Sequence, residues 1–340
     1  MFNKLKSYFF SLSRWKDIFF HTNSYRIDTD RTYCINIDSQ SFSIIAAHYD
    51  KEKININLCA TYPFTTREDL FISLASIVKY HQLDVVNCSW ILQPDQYQLL
   101  LIETLPVTAN EFQSAIRWKI KDLLRFPIDD VIIDSFPLPI KKVSTGQEMI
   151  MVVAAKSSDL KSMTEQLKEI GLHINKISIP ELSLRNIAAL FEQPDQITAL
   201  IYMQEKNSQI ILTSNKELHF ARRIELGVKF IEPVQKEVMD EIEIAKKMDK
   251  LASEIQRSFD YYQSQWRKSM PTRIIFASVK ILSIDIASLL SQYLAIPTEV
   301  LNITPYLNNT NMISIEEQGK YLTMIGELFQ NKGNSYAAAN

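Results

Sequence analysis

A chain of 340 residues that is 46% hydrophobic carries enough apolar surface for two packed domains, which excludes a disordered protein. Lys plus Arg number 37 against 39 for Asp plus Glu, a formal net charge of −2, so the global basic field of a nucleic-acid binder is absent. There are only six glycines, Gly146, Gly171, Gly227, Gly319, Gly326 and Gly333, none within six positions of another, which excludes both a Walker A loop and a dinucleotide-binding fingerprint.

The first segment, "MFNKLKSYFFSLSRWKDIFF", mixes Lys4, Lys6, Arg14 and Lys16 with Phe2, Phe9, Phe10, Trp15, Phe19 and Phe20. Charges interrupt its apolar residues and no small-residue cleavage site follows, so residues 1–28 are expected to form a basic aromatic helix rather than an export signal. Such a helix either lies on a membrane surface or packs on the protein's own body. No window nears the roughly 18 apolar residues of a spanning helix, which predicts a soluble chain.

Residues 31–62 alternate as a three-strand meander, with turns at Ser39–Gln40 and Asp50–Lys53. The first hairpin, "INIDSQSFSII", places Asp38, Ser39 and Ser41 at its bend, as a phosphate-binding hairpin does, but without glycine. A helix begins near Thr65–Thr66, with Glu68 and Asp69 in its first turn, and strands are expected at 85–92 and 97–102. "NEFQSAIRWKIKDLL" has helical apolar spacing, displays Arg117, Lys119, Lys121 and, just beyond, Arg125, and is stopped by Pro127. "DDVIIDSFPLP" and "EMIMVVAA" read as strands around a polar loop at 141–148. A helix with an N-cap at Ser157–Ser158 and a C-cap at Gly171 follows, then a strand and the helix "ELSLRNIAALF". After Pro194–Asp195 the strand pattern restarts: "ITALIYMQ", "SQIILTSN" and "ELHFARRIEL" repeat the meander. A long helix at 233–268, with Val238, Ile242, Ala245, Met248, Leu251, Ile255, Phe259, Tyr262 and Trp266 on one face, is expected to pack on a sheet rather than as a coiled coil. Strand "RIIFAS", helix "IDIASLLSQYL", strand "PTEVL" and a closing helix at 321–329 complete the chain.

Few residues suggest chemistry. Cys34, Cys59 and Cys88 are odd in number and widely spaced, which fits buried small apolar side chains in a reducing compartment. None of His21, His48, His81, His173 and His219 sits in HExxH or four residues from another, and no GxSxG elbow occurs. Asp129, Asp130 and Asp134 read as a solvated turn at a strand start, and Arg222–Arg223 as a structural or partner-binding pair on opposite faces of a strand.

"ETLPVTANEFQSAIRWKIKDLLRFPIDDVIIDSFPLP" (103–139), the strand and helix pattern of 151–191, "LASEIQRSFDYYQSQW" (251–266) and "YLTMIGELF" (321–329) together resemble the PilM/MshI family of type IV and mannose-sensitive haemagglutinin pilus assembly proteins, with MshI the nearer pattern. The resemblance implies an α/β, two-lobed actin-like ATPase fold, a duplicated ribonuclease H-like unit, with an inserted subdomain at about 95–150. The first lobe would span 29–194, the second 195–330, and 331–340 would be a flexible tail. It implies a cytoplasmic protein, peripheral at the inner membrane, that holds the cytoplasmic tail of an inner-membrane pilus protein in a groove among 31–60 and 95–150; contact of residues 1–20 with the bilayer is the one of the two readings of that basic aromatic segment that would fit this location. Arg117, Lys119, Lys121 and Arg125 would be partner-binding. The family's phosphate hairpin falls on "NIDSQS", with its aspartate at Asn36 or at Asp38 according to register and Asp38, Ser39 and Ser41 as the candidate residues, its second hairpin on "YMQEKNSQ", and its adenosine turn on Ala277–Ser278, each without glycine. The expectation is therefore a scaffold with a degenerate site, no catalytic residue, no metal and no cofactor. The alternatives are an ATP- and Mg²⁺-binding assembly ATPase, in which Ser39, Gln40 and Ser41 side chains replace backbone donors, and a cytoplasmic domain like that of the type II secretion L protein.

Overall fold

The computed structural model describes residues 28–50, 53–83, 86–108, 110–232, 240–308 and 312–334. The expected N-terminal helix at 1–28, apart from Asp28, lies outside them. The first sheet takes strands β1 (Asp28–Ile37), β2 (Ser41–Asp50), β3 (Lys53–Pro63), β4 (Val86–Ile91) and β8 (Ile174–Ser178) in the order β3-β2-β1-β4-β8. Antiparallel pairing joins β1, β2 and β3, and parallel pairing joins β1 to β4 and β4 to β8. The second sheet repeats this plan. Its strands β9 (Thr198–Met203), β10 (Ser208–Ser214), β11 (Glu217–Ile224), β12 (Arg273–Ser278) and β13 (Thr298–Val300) run in the order β11-β10-β9-β12-β13, with the same sequence of antiparallel and parallel pairs. Alternation within single strands follows the pleat, but β9 and β10 are buried along their whole length, so both faces of that sheet are covered.

Between β4 and β8 the chain inserts a separate antiparallel sheet, β5 (Tyr97–Glu103), β7 (Glu148–Lys156) and β6 (Val131–Lys141), in the order β5-β7-β6. The insert thus reaches Lys156, beyond the expected boundary at 150. Its strand β7 alternates between two cores: Ile150, Val152 and Ala154 pack with Ile116 and Ile120 of helix α2 (Phe112–Ile120), whereas Met149, Met151 and Val153 join the main core. Helix α2 is therefore the outer layer of the subdomain.

Helix α1 (Arg67–His81) starts at a capping box: Thr66 accepts from the Asp69 N–H and the Asp69 carboxylate accepts from the Thr66 N–H. Helix α3 (Ser157–Glu169) is capped differently from the expectation. Its first turn receives Asp130, which accepts from both the Ser158 N–H (2.8 Å) and the Ser158 hydroxyl (2.6 Å), bonds that lower the Asp130 carboxyl below its usual range. Asp130 is thus a cap and Asp134 is 8% exposed, so of the three acids expected in a solvated turn only Asp129 is exposed there.

The lobes exchange helices. Helix α4 (Pro180–Ala188), which follows the last strand of the first sheet, packs on β9, β10 and β11 of the second. Helix α8 (Leu322–Asn334), at the far end of the chain, returns to pack on α4 and on β1, β2 and β4. Residues 331–334, expected in a tail, are helical. Gly326 makes the crossing close: a Cβ there would collide with the Ser183 carbonyl, and Asn186 Nδ2 donates to the Gly326 carbonyl at 2.9 Å. A buried ion pair, Lys176 with Glu327, and a bond from Ser183 Oγ to Glu327 Oε2 (3.3 Å) lie beside it. A short helix α5 (Val228–Ile231) precedes α6 (Glu241–Trp266), which buries Met248, Leu251, Ile255, Phe259, Tyr262 and Trp266 against the second lobe, while Ile242 is exposed. Helix α7 (Ile286–Leu294) packs on α6 and β13.

Candidate functional site

Two regions gather the residues singled out by the sequence. The first is the end of the sheets where the β1–β2 and β9–β10 hairpins lie. In the β1–β2 turn, Asp38 N–H donates to the Ser41 carbonyl (2.8 Å), and Asp38 Oδ1 accepts from both the Ser39 N–H and the Ser39 hydroxyl (2.9 Å). Asp38, Ser39 and Gln40 are exposed and none has a positive φ. The donors that a phosphate hairpin offers to an anion are here turned onto the protein's own carboxylate and carbonyl.

The β9–β10 turn is covered by its own chain. Gln204 N–H donates to the Asn207 carbonyl (2.8 Å), and the Val228 and Lys229 N–H groups donate to the Gln204 and Glu205 carbonyls (2.8 and 2.9 Å). Gly227 lies so near that a Cβ would collide with the Gln204 carbonyl and the Asn207 nitrogen. At the end of β12, Gly319 lies on the Ser278 carbonyl in the same manner, and Tyr202 Oη donates to the Gly319 carbonyl at 2.9 Å. Two of the chain's few glycines thus serve to seat backbone directly on the β9–β10 turn and on the end of β12.

The second region is a cleft between the inserted sheet and the second lobe. Its larger part, about 290 Å³, is lined by Pro94 and Tyr97–Leu100 from the insert side, by Arg125, by Glu181 of α4, and by Gln209, Ile211 and Ala221–Arg223 of the second sheet. A smaller apolar slot of about 110 Å³ adjoins it across Leu99 and Ala221, walled by Leu101, Leu138, Ile140, Met151, His219 and Phe220. Neither cavity takes a residue from 31–60, where half of the groove was expected.

The polar groups of the cleft differ in how they are held. Tyr97 Oη donates to Glu181 Oε2 at 2.6 Å; burial raises the Glu181 carboxyl above its usual range against the opposing effects of that bond and of Arg223. Arg222 reaches Ser258 Oγ (3.0 Å) and Glu254 Oε2 (3.2 Å) on α6, and Arg223 pairs with Glu225 at 3.5 Å. Gln98 anchors the segment that carries Arg125, accepting from the Arg125 N–H (2.6 Å) and donating to the Leu123 carbonyl (3.2 Å). Gln209 is the exception. It is 2% exposed, and neither its amide nitrogen nor its amide oxygen has a partner among the described residues.

Of the four predicted partner-binding cations, only Arg125 lines this cleft. Arg117 donates to the Ile128 and Val131 carbonyls (2.8 and 3.2 Å), so its guanidinium braces the insert. Lys119 and Lys121 are exposed on α2 and the turn that follows it. Sequence reading missed Gln209 and Glu181, because an interior amide in a strand gains meaning only from what the other lobe packs against it. Among the described residues there is no cluster able to hold a metal ion, and no helix is long and apolar enough to cross a membrane. Cys34 and Cys88 are buried, and burial pushes the half-buried Cys59 thiol up to about 12.

No family model and no curated protein matches the chain. Among solved structures, it is similar to the PilM–PilN type IV pilus biogenesis complex with a TM-score of 0.70 and 18% identity, over 90% of this chain and 99% of that one. The chain has the two-lobed actin-like fold. Fainter likenesses run to the cytoplasmic domain of EpsL, an inner-membrane component of the type II secretion system of Vibrio cholerae (TM-score 0.46, 13% identity, 77% of this chain and 94% of that one). Another is a Bacteroides thetaiotaomicron protein of actin-like ATPase fold and unknown function (TM-score 0.45, 11% identity, 84% and 94%). In this frame the hairpins at 38–41 and 204–207 are the first turns of the two equivalent meanders, and the cleft lies between the inserted sheet and the second lobe.

Proposed function

We propose that this protein is a non-catalytic actin-fold scaffold of a type IV pilus machine of the mannose-sensitive haemagglutinin kind. It acts at the cytoplasmic face of the inner membrane and holds the cytoplasmic tail of an inner-membrane pilus assembly protein. The observation that carries this reading is the cleft with Gln209 at its wall. An amide whose donor and acceptor are both unpaired, beside an apolar slot, has the complement of a peptide group followed by an aliphatic side chain. Arg125, Arg222 and Arg223 favour a tail that brings a carboxylate to the polar end.

The same reading makes the nucleotide site degenerate. The first hairpin spends its donors on the Asp38 carboxylate and the Ser41 carbonyl, and Gly227 and Gly319 bring backbone over the second hairpin and the adenosine turn. ATP would have to break the turn's own hydrogen bonds and displace two seated segments.

Titration calorimetry of the purified chain with Mg²⁺-ATP, and separately with the tail peptide of the neighbouring pilus inner-membrane protein, tests both halves. The expected result is saturable heat with the peptide and none with nucleotide. Binding of ATP at micromolar concentration would overturn the degenerate site, and absence of peptide binding would overturn the scaffold.

A further inference from the structure

Helix α2 and the turn after it carry an exposed apolar pair that neither the cleft nor the core uses. Trp118 is 72% exposed and Leu123 is 53% exposed, although the helix buries Ile116 and Ile120 in the insert's own core. Around them stand Arg117, Lys119 and Lys121, with Asp122 as the sole acid from 117 to 123. Arg117 is held by two carbonyls, and Lys121 Nζ lies 5.8 Å from the centroid of the Trp118 ring. The patch sits on the outer layer of the subdomain, on the opposite face of the inserted sheet from the apolar slot.

We propose that this patch is a docking surface for a bilayer rich in anionic phospholipid, with Trp118 and Leu123 entering the headgroup layer and Lys119 and Lys121 facing lipid phosphates. A Trp tip suits this boundary because its ring is apolar while its N–H needs a polar neighbour. The flexible lysines suit a fluid sheet of phosphates better than a fixed carboxylate partner, since each keeps its charge in water while its stem lies along the apolar surface. Two apolar side chains on one outer helix fall far short of the roughly 1,000 Å² that a stable protein interface buries, whereas a bilayer contact is reversible and weak by nature. The proposal stands whether or not the cleft holds a tail.

Co-sedimentation of the full chain with phosphatidylcholine vesicles, with and without phosphatidylglycerol, measures it. The wild-type chain should bind the anionic vesicles, and added salt should weaken binding. K119Q/K121Q should lose about fivefold in affinity for each lysine neutralised. W118S/L123S should lose affinity comparably, while K119R/K121R should retain it. All these side chains are exposed, so thermal melts should match the wild type and separate a lost surface from a lost fold. Vesicle binding left intact in K119Q/K121Q and W118S/L123S, or no binding by the wild type, overturns the proposal. Loss of tail-peptide binding in these variants with vesicle binding preserved would assign the patch to a protein partner and overturn it equally.

Discussion

Gln209 sets function against stability within one side chain. A buried amide without partners costs about 1–3 kcal/mol relative to an apolar side chain of similar shape. Gln209→Leu should therefore raise the melting temperature of the free protein while weakening tail binding about tenfold, a divergence that calorimetry and a thermal melt on the same sample will reveal. His219, at the wall of the apolar slot, gives a different signature. Its Nδ1 lies 2.9 Å from Tyr262 Oη, and burial, aided by Lys268, lowers it from 6.5 to about 4, so the folded protein keeps it neutral. The stability this provides is complete above the unfolded value and is lost as pH falls from 6.5 towards 4, a change of about 3 kcal/mol. His219→Phe should flatten that part of the acid unfolding curve followed by circular dichroism. At this scale the sequence was a partial guide: Asp38, Ser39 and Ser41 stood out as a turn, but that Asp38 spends its charge on Ser39 depends on rotamers that spacing does not encode.

Among the elements, the crossing of α4 and α8 concentrates the largest sensitivities. Lys176 and Glu327 are 6% and 0% exposed, so removal of one partner strands a buried charge. Lys176→Met should cost about 3–5 kcal/mol in chemical denaturation, and K176M/E327L should recover much of it, because a paired apolar replacement leaves no charge behind. Gly326→Val should be severely destabilising, since a Cβ collides with the Ser183 carbonyl and neither helix yields cheaply. The meanders were legible because alternation is local, and the restart after Pro194 revealed the duplication. The exchange of helices was not legible, since Ser183 and Glu327 meet across 144 residues and no periodicity reports such a contact. The end of the insert was misplaced for a related reason: β7 runs to Lys156 because β6 and α3 hold it there through Asp130, a cap borrowed from a residue that reads locally as loop.

On the scale of the whole molecule, the two lobes are joined by more than a hinge. The exchanged helices are supplemented by the segment 303–308, where Asn308 N–H donates to the Ile54 carbonyl (3.0 Å) at the edge of the first sheet and Tyr306 Oη donates to the Leu190 carbonyl (2.7 Å). A ligand that closed the lobes and bound at a hundredfold excess over its Kd would add about 2.7 kcal/mol to stability. Mg²⁺-ATP is expected to leave the melting temperature unchanged, and a shift of several degrees would contradict the degenerate site. The crossing also orders the birth of the protein. Strands β1, β2 and β4 leave the ribosome well before the helix that covers them, Leu322–Asn334, which is made only after the whole second sheet. Until then one face of the first sheet has no cover, and an incomplete chain must be shielded by other means. Truncation before Leu322 would therefore unmake the first lobe rather than trim the second.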